Sequence, residues 1–264
     1  MGTEKRERQK ANRAAKLAAE EAAEARTKRI RFIRNVAILL VCLVVVLFLL
    51  AGCGSSSDAT ADADGYGSTP CPPEGGVEEP QTSFDDSFAL CIDPTATYTA
   101  VFTTTMGDVT VELDAADHPI TTNNFVALAR SGYYDGTKFF RTEAPTGIIQ
   151  GGSPTTQSNT DPGPGYTIPD EGPAATSDDY GPGTLAMART SAPDSAGGQF
   201  FFLAGEGGRY LGDPNQLGDD AGSYRVFGTV TDGLDVLVQI AALDRGDSVP
   251  SSDVSIESIT ITES

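Results

Sequence analysis

The stretch MARTSAPDSAGGQFFF, residues 187–202, decides how the rest of the chain is interpreted. A hydrophobic strand at residues 183–188 runs into a loop of small and polar residues, and a second strand begins at three consecutive phenylalanines. Alternate side chains of a strand point to opposite faces of its sheet, so Phe200 and Phe202 share one face and Phe201 takes the other. We expect Phe200 and Phe202 to lie in a core. Phe201 should form the floor of a pocket, with Gln199 beside it as a polar group.

Further motifs accompany this stretch in a fixed order along the chain. They read FFR at 139–141, QGG at 150–152, MAR at 187–189, GGQFF at 197–201 and VFG at 226–228. Together these motifs resemble those of the cyclophilins, a family of peptidyl-prolyl cis-trans isomerases, over residues 98–264. The resemblance implies a β-barrel of eight strands and an isomerase that binds Pro-containing polypeptides.

The hydrophobic pattern predicts a mostly β domain with two helices. Residues 98–105 and 109–113 read as a hairpin. One helix begins at Pro119 with His118 as its cap and ends at Gly132, and a second covers residues 232–243. Many strands with two helices suggest a closed barrel capped by α-helices, and the resemblance sets the number of strands at eight. The other predicted strands lie near 137–142, 147–150, 183–188, 199–203, 224–230 and 255–262.

Residue roles follow from the resemblance, position by position. Arg141 matches the arginine that acts on the prolyl bond, Gln150 the glutamine that orients it, and Phe201 the phenylalanine that floors the pocket. Arg189 replaces the usual asparagine, but the backbone contacts substrate at that position. Tyr224 replaces a histidine. The substrate-binding residues implied in this way are Ile148, Ala188, Arg189, Gln199, Leu217 and Tyr224.

Prolyl isomerisation needs neither a base nor a nucleophile. Its barrier is rotation about a conjugated C–N bond, and twisting that bond makes the proline nitrogen more basic. A fixed donor such as Arg141 lowers the barrier by holding the twisted state. The chain has a single histidine, His118, so a Ser-His-Asp mechanism has little support. We expect no cofactor and no metal.

Two departures from the family keep an alternative function open. Arg141 and Gln150 are nine positions apart rather than eight, and Gly147 takes the place of the usual pocket phenylalanine. Burying a phenylalanine is worth roughly 1.5–3 kcal/mol, so a shallower pocket should bind proline weakly. A non-catalytic module that binds Pro-containing segments is therefore an alternative. A structural envelope protein is a third hypothesis, supported only by the membrane segment and the long linker predicted below.

The first 34 residues and the rest of the chain carry net charges of opposite sign. Residues 1–34 carry eleven basic and five acidic residues, a formal +6, which leaves −25 for the rest of a chain whose total is −19. Residues 1–34 read as a basic cytoplasmic tail or the first part of a signal. The acidic remainder should repel nucleic acid, because phosphate binding needs clustered cations.

An apolar run at residues 35–53 predicts membrane attachment. Its basic N-terminal flank places the tail in the cytoplasm and the C-terminal part outside the cell membrane. The run ends in Leu-Ala-Gly-Cys at residues 50–53, which resembles a bacterial lipobox with Cys53 as the lipidation candidate. A lipoprotein signal and an uncleaved transmembrane anchor both remain open.

The segment at residues 54–91 is rich in Gly, Ser, Asp, Pro and Glu and predicts a disordered acidic linker. Cys71 and Cys91 lie in the exported part, where two thiols are expected to pair as a disulfide. The remaining residues, 92–264, form the expected isomerase domain, which should act as a monomer.

Overall fold

The computed structural model describes residues 65–264. The predicted basic tail (1–34), the predicted membrane segment (35–53) with Cys53, and the first part of the predicted linker (54–64) lie outside the described residues. Within the described range, no helix is both long enough and apolar enough to cross a bilayer.

Among residues 65–264, eight strands form one antiparallel sheet, which agrees with the prediction of a mostly β domain. The order across the sheet is β3-β4-β6-β5-β7-β2-β1-β8. The first two strands make the predicted hairpin, closed at Gly107. The strands are β1 (Tyr98–Thr104), β2 (Gly107–Leu113), β3 (Arg141–Glu143), β4 (Ile148–Gly151), β5 (Thr184–Met187), β6 (Phe200–Leu203), β7 (Val226–Asp232) and β8 (Ile256–Glu263).

The sheet is curled, and its two edge strands, β3 and β8, do not pair with each other along their length. The chain just before β3 joins the start of β8 instead. Ile256 N donates to the Thr137 carbonyl at 2.7 Å, and Phe139 N donates to the Val254 carbonyl at 3.0 Å. The predicted closed barrel is therefore a curled sheet whose edges meet only at this short contact, because β3 has only three residues.

The predicted first helix is α1 (Pro119–Arg130), and the predicted second helix is α3 (Leu234–Ala241). A short helix α2 (Pro214–Leu217) and two 3-10 turns, Glu206–Gly212 and Gly218–Asp220, were not predicted. His118 occupies the predicted N-cap position of α1, but its side chain makes no capping hydrogen bond, because its Nδ1 contacts Asp114 Oδ2 at 3.0 Å. The first amide groups of α1 donate instead to the carboxylate of Glu171, from a loop 50 residues away.

The core lies on one face of the curled sheet, under α1. Phe200 and Phe202 are both fully buried there, as predicted, and pack against Phe102 with ring centroids 5.6 and 5.1 Å apart. Phe125 of α1 joins them, with its ring 5.9 Å from that of Phe200. This aromatic core fixes the sheet from inside, so the opposite face of β4, β5 and β6 is left for the site.

Residues 65–97, here called the strap, form an ordered segment in front of β1. The strap contains the predicted Cys71–Cys91 disulfide, whose Cα atoms are 5.4 Å apart. Phe88 and Ile92 of the strap are buried in the core. The prediction of a disordered linker is wrong for residues 65–91, because their few apolar side chains pack against the domain and the disulfide closes the loop between them.

Candidate functional site

Four side chains stand in one row across four neighbouring strands. Arg141 of β3 pairs with Gln150 of β4, Gln150 with Phe201 of β6, and Phe201 with Ala186 of β5. Directly opposed residues of antiparallel strands lie on the same face of the sheet. The row therefore lies on the face opposite Phe200 and Phe202, which is the alternation predicted from the three phenylalanines.

An apolar cluster, here called the outer cluster, surrounds Phe201 on this face. Phe201 is buried, and its ring meets the ring of Tyr224 edge-on at 5.5 Å. The cluster gives the sheet a second, smaller apolar surface beside the polar groups of β3 and β4. Its buried members are Ile148, Tyr180, Ala186, Phe201, Leu203 and Leu211.

A chain of hydrogen bonds holds the guanidinium of Arg141 at the edge of this surface. Arg141 Nη1 donates to Gln150 Oε1 at 2.9 Å, and Gln150 Nε2 donates to Gln199 Oε1 at 2.9 Å. On its other side, Arg141 Nε donates to Glu143 Oε1 at 3.0 Å. The Arg141 side chain is still 37% exposed, so a charged donor with a fixed orientation faces the solvent-filled side of the site.

Glu143 is a residue that the sequence analysis did not identify. Burial alone would raise the pKa of its carboxyl, but hydrogen bonds from Arg141, the charge of Arg141, and the hydroxyls of Thr146 and Ser248 outweigh burial and lower the pKa below its ordinary value of 4.5. Glu143 is therefore ionised at neutral pH and clamps the guanidinium. Its signal in the sequence is weak, because Glu143 lies between the motifs at 139–141 and 150–152 and belongs to neither.

Replacing Glu143 with glutamine should remove a pH-dependent part of the stability. A carboxyl whose folded-state pKa is lowered stabilises the fold fully above its unfolded pKa, and that stability is lost as the pH falls through the folded pKa. The gap in unfolding free energy between wild type and Glu143→Gln, measured by urea denaturation, should be constant above about pH 5 and shrink as the pH falls toward about 3, because an unfolded glutamate has a pKa of about 4.3. Glu257→Gln, at an exposed position of β8, serves as control. A gap that stays constant with pH would contradict the clamp.

The row borders a cleft with a volume of about 520 Å³. Of the nine catalytic and substrate-binding residues predicted from the sequence, all except Leu217 line it. The structure thus brings together residues from five separate stretches of the chain. The eight are Arg141, Ile148, Gln150, Ala188, Arg189, Gln199, Phe201 and Tyr224.

The leucine of the cleft is Leu211 rather than Leu217. Leu211 and its neighbour Tyr210 belong to the 3-10 turn Glu206–Gly212, and both line the cleft. Leu217 ends α2 and packs against the outer cluster from outside the cleft. The side chain of Asp213 caps α2 and directs the chain away, so the six residues after Leu211 form an added excursion. Burial, and next the charge of Glu143, raise the pKa of Tyr210.

Arg189 lines the cleft but is not a free charge. Its Nη2 lies 3.4 Å from Asp170 Oδ2 and donates to the carbonyl of Ala192 at 2.7 Å, which leaves only 7% of the side chain exposed. Ala188 N donates to the carbonyl of Gln199, so the backbone at this position continues the sheet toward the cleft. This geometry fits the prediction that the backbone, rather than the side chain, serves at Arg189.

Gly147 does not line the cleft, although the sequence aligned it with a pocket phenylalanine. Its φ is +77°, and a Cβ atom there would lie 2.6 Å from Gly205 N. A side chain at residue 147 would therefore collide with the backbone of residues 204 and 205 instead of entering the pocket. The extra residue between Arg141 and Gln150 is absorbed in this glycine turn.

The far wall of the cleft comes from the loop at residues 159–167. Pro164 and Tyr166 line the cleft from this loop and pack against Gly197, which lines it too. Asn124 of α1 joins Tyr166 to Gly197, because Tyr166 Oη donates to Asn124 Oδ1 at 2.7 Å and Asn124 Nδ2 donates to the carbonyl of Gly197 at 2.8 Å. The sequence analysis did not identify this wall, because most of its residues are turn formers and none belongs to the motifs that resemble the family.

The arrangement places an oriented cation beside an apolar floor in a cleft of about 520 Å³. The single histidine, His118, lies at the start of α1 and does not line the cleft. The groups that face the cleft are therefore suited to binding and to electrostatic stabilisation rather than to nucleophilic attack.

Comparison with known proteins identifies the class to which this fold and site belong. Residues 99–261 match the family described as "Cyclophilin type peptidyl-prolyl cis-trans isomerase/CLD". The chain belongs to this family of isomerases, as the ordered motifs of the sequence predicted.

Individual relatives support the same assignment. The chain is 36% identical to the peptidyl-prolyl cis-trans isomerase cyp18 of Streptomyces antibioticus, over 62% of this chain and 95% of that protein. It is 34% identical to the peptidyl-prolyl cis-trans isomerase B of Escherichia coli, over 61% of this chain and 98% of that protein. A cyclophilin-type isomerase of Cryptosporidium parvum, solved in the presence of the dipeptide Ala-Pro, superposes with a TM-score of 0.51 at 30% identity, covering 62% of this chain and 98% of that one.

Proposed function

We propose that this cyclophilin-type isomerase is tethered to the cell membrane and acts on Pro-containing segments of proteins outside the cytoplasm. We further propose that Arg141 stabilises the twisted prolyl bond above a floor formed by Phe201. The observation that carries the mechanism is the placement of the Arg141 guanidinium, which Gln150 and Glu143 hold at the edge of the cleft.

The chemistry follows from the nature of the barrier. Rotation about the prolyl C–N bond costs about 18–20 kcal/mol because it breaks the amide conjugation. As conjugation is lost, the lone pair returns to the proline nitrogen, which becomes a better hydrogen-bond acceptor. A donor that is already oriented stabilises this state without reorganising, and Arg141 has such an orientation.

The apolar groups of the cleft have the complementary role of holding the proline ring. Phe201 forms the floor, with Ile148, Leu211 and Tyr224 around it, all lining the same cleft. Gln199, which accepts from Gln150, stands beside the floor as a polar contact for the peptide backbone. The Ala-Pro dipeptide present with the Cryptosporidium parvum relative supports a ligand of this class.

The direct test follows cis-to-trans relaxation of an Ala-Pro peptide with the full-length chain in mild detergent. Uncatalysed relaxation takes about 10–100 s, so an acceleration is easily observed. Acceleration supports the proposed activity. Binding of the peptide without acceleration would instead favour the non-catalytic module.

Two features of the chain support the proposed membrane tether. The apolar run of residues 35–53 follows a basic tail, and the described part contains a Cys71–Cys91 disulfide, a bond typical of oxidising compartments. We expect a protease added to intact, wall-free cells to digest residues 92–264, with Cys71 and Cys91 oxidised after alkylation trapping. Protection of the domain until the cells are lysed would contradict the proposed location.

An experiment in the same cells distinguishes a lipoprotein signal from an uncleaved transmembrane anchor. In a lipoprotein, Cys53→Ser should block maturation and leave a heavier precursor, as judged by mass spectrometry of the N-terminal fragment. With an uncleaved anchor, Cys53→Ser should change the mass only by the substitution itself.

A further inference from the structure

The strap contacts the far wall of the cleft from behind. Phe84 N donates to the carbonyl of Pro164 at 2.7 Å, and Pro164 lines the cleft. The rings of Phe84 and Phe88 meet the ring of Tyr166 at centroid distances of 6.5 and 6.3 Å. One face of the wall is therefore presented to the cleft while the other rests on the strap.

The fit between the strap and the wall leaves no space. Gly165 lies between Pro164 and Tyr166 with a φ of +102°, and a Cβ atom there would stand 2.4 Å from the carbonyl oxygen of Phe84. The two backbones are thus in direct contact, so a displacement of the strap at Phe84 removes the support of the wall at the residues that line the cleft.

A disulfide and the side chain of Asn123 hold the strap in place. The Cys71–Cys91 disulfide closes the strap on itself. Asn123 of α1 accepts from Cys91 N at 2.6 Å and donates to the carbonyl of Ala89 at 3.0 Å. The next residue, Asn124, holds Tyr166 and Gly197, so adjacent buried asparagines of α1 anchor the strap and the cleft.

We propose that the strap is a positioning element for substrate binding, with Phe84 as its main positioning residue and the Cys71–Cys91 disulfide as its lock. This inference rests on the proposed function of the cleft. The strap lies outside the stretch that matches the family model, residues 99–261. It acts on binding and not on the chemical step, because the guanidinium of Arg141 is held by Glu143 and Gln150, outside the strap.

The test compares four forms of the full-length protein in detergent: wild type, Phe84→Ala, the double variant Cys71→Ser with Cys91→Ser, and Leu90→Ala. Leu90 is the matched control, because it lies in the same strap but is 48% exposed. The probe is a peptide extended on both sides of its Ala-Pro bond. Its KM and kcat are measured by saturation, its Kd by calorimetry, and the folded fraction of each form by circular dichroism.

Phe84→Ala should raise KM and Kd about three- to tenfold, since each aromatic contact that orders the wall is worth a factor of this size. KM and Kd should also rise in the double cysteine variant and in wild type treated with a thiol reductant. The kcat of all these forms, and the KM and Kd of Leu90→Ala, should equal the wild-type values. Unchanged KM and Kd in Phe84→Ala and in the reduced protein would overturn the inference, as would a fall in kcat alone.

The Kd measurement keeps this inference separable from the proposed activity. If wild type binds the peptide but does not accelerate its relaxation, the proposed activity fails. The strap is then still judged by whether Phe84→Ala weakens binding.

Discussion

Arg141→Ala is expected to lower kcat/KM for an Ala-Pro peptide about 10²- to 10³-fold in the relaxation assay, which is the usual cost of removing one oriented electrostatic donor. The peptide should still bind, because the apolar floor of Phe201 and its neighbours remains. The loss should therefore fall mainly on kcat, with a smaller change in KM.

Arg141→Lys is the informative companion variant. A guanidinium donates from several nitrogens in a fixed plane, which lets Arg141 bond to Glu143 and Gln150 at the same time. A lysine ammonium keeps the charge but is a flexible point donor. We expect Arg141→Lys to recover only a small part of the lost activity, which would show that orientation contributes in addition to charge.

Arg245→Ala provides the matched control for both variants. Its side chain is 53% exposed and pairs with Asp247 at 3.5 Å, away from the cleft. Its activity should equal that of wild type. If Arg141→Ala also retained wild-type activity, the membership in the family would stand, but the proposed role of Arg141 would be wrong.

Local pattern was sufficient to predict the faces of the sheet. Strict alternation places Phe200 and Phe202 on one face of the strand and Phe201 on the other, and the structure confirms this division. The closure of the barrel was not predictable to the same degree. Closure depends on the length of β3. The sequence of residues 137–142 gives no local sign that β3 begins only at Arg141.

The sequence predicted the site residues that lie on paired strands. It did not predict the leucine that lies in a loop. Arg141, Gln150 and Phe201 are cross-strand neighbours, so their positions within motifs fix their positions in space. Leu217 was chosen by counting through an insertion, and the inserted residues form the short helix α2. Leu211, six residues earlier, carries no local feature that distinguishes it before the fold is known.

The strap shows why composition alone misjudged residues 65–91. A segment with few apolar residues cannot build its own core, but it can fill gaps in a core that already exists. Phe88 is 3% exposed in the strap, and a disulfide lowers the conformational entropy that ordering the segment must overcome. The composition of residues 65–91 does not reveal that the adjoining domain offers a surface against which their few apolar side chains can pack.

Phe202→Ala is expected to lower the free energy of unfolding by about 3–5 kcal/mol, the range for a large aromatic residue deleted from a core. Phe202 is fully buried, and its ring lies 5.1 Å from Phe102 and 5.8 Å from Phe200. Domains are stable by only about 5–15 kcal/mol, so urea denaturation should show a large fall in midpoint. If the alanine variant does not fold, Phe202→Leu should show the same direction with a smaller loss.

Phe201→Ala is the matched variant, because it removes the same ring from the adjacent residue on the opposite face. Its ring contacts that of Tyr224 and borders the cleft, so the space left can fill with water and the loss of stability should be smaller. Its KM for an Ala-Pro peptide should rise, whereas folded Phe202→Ala should keep the wild-type KM. Equal effects of the two substitutions on stability and on KM would contradict the division of this strand between core and cleft. The pair thus separates what holds the domain together from what binds the proline, although the two rings are neighbours in the chain.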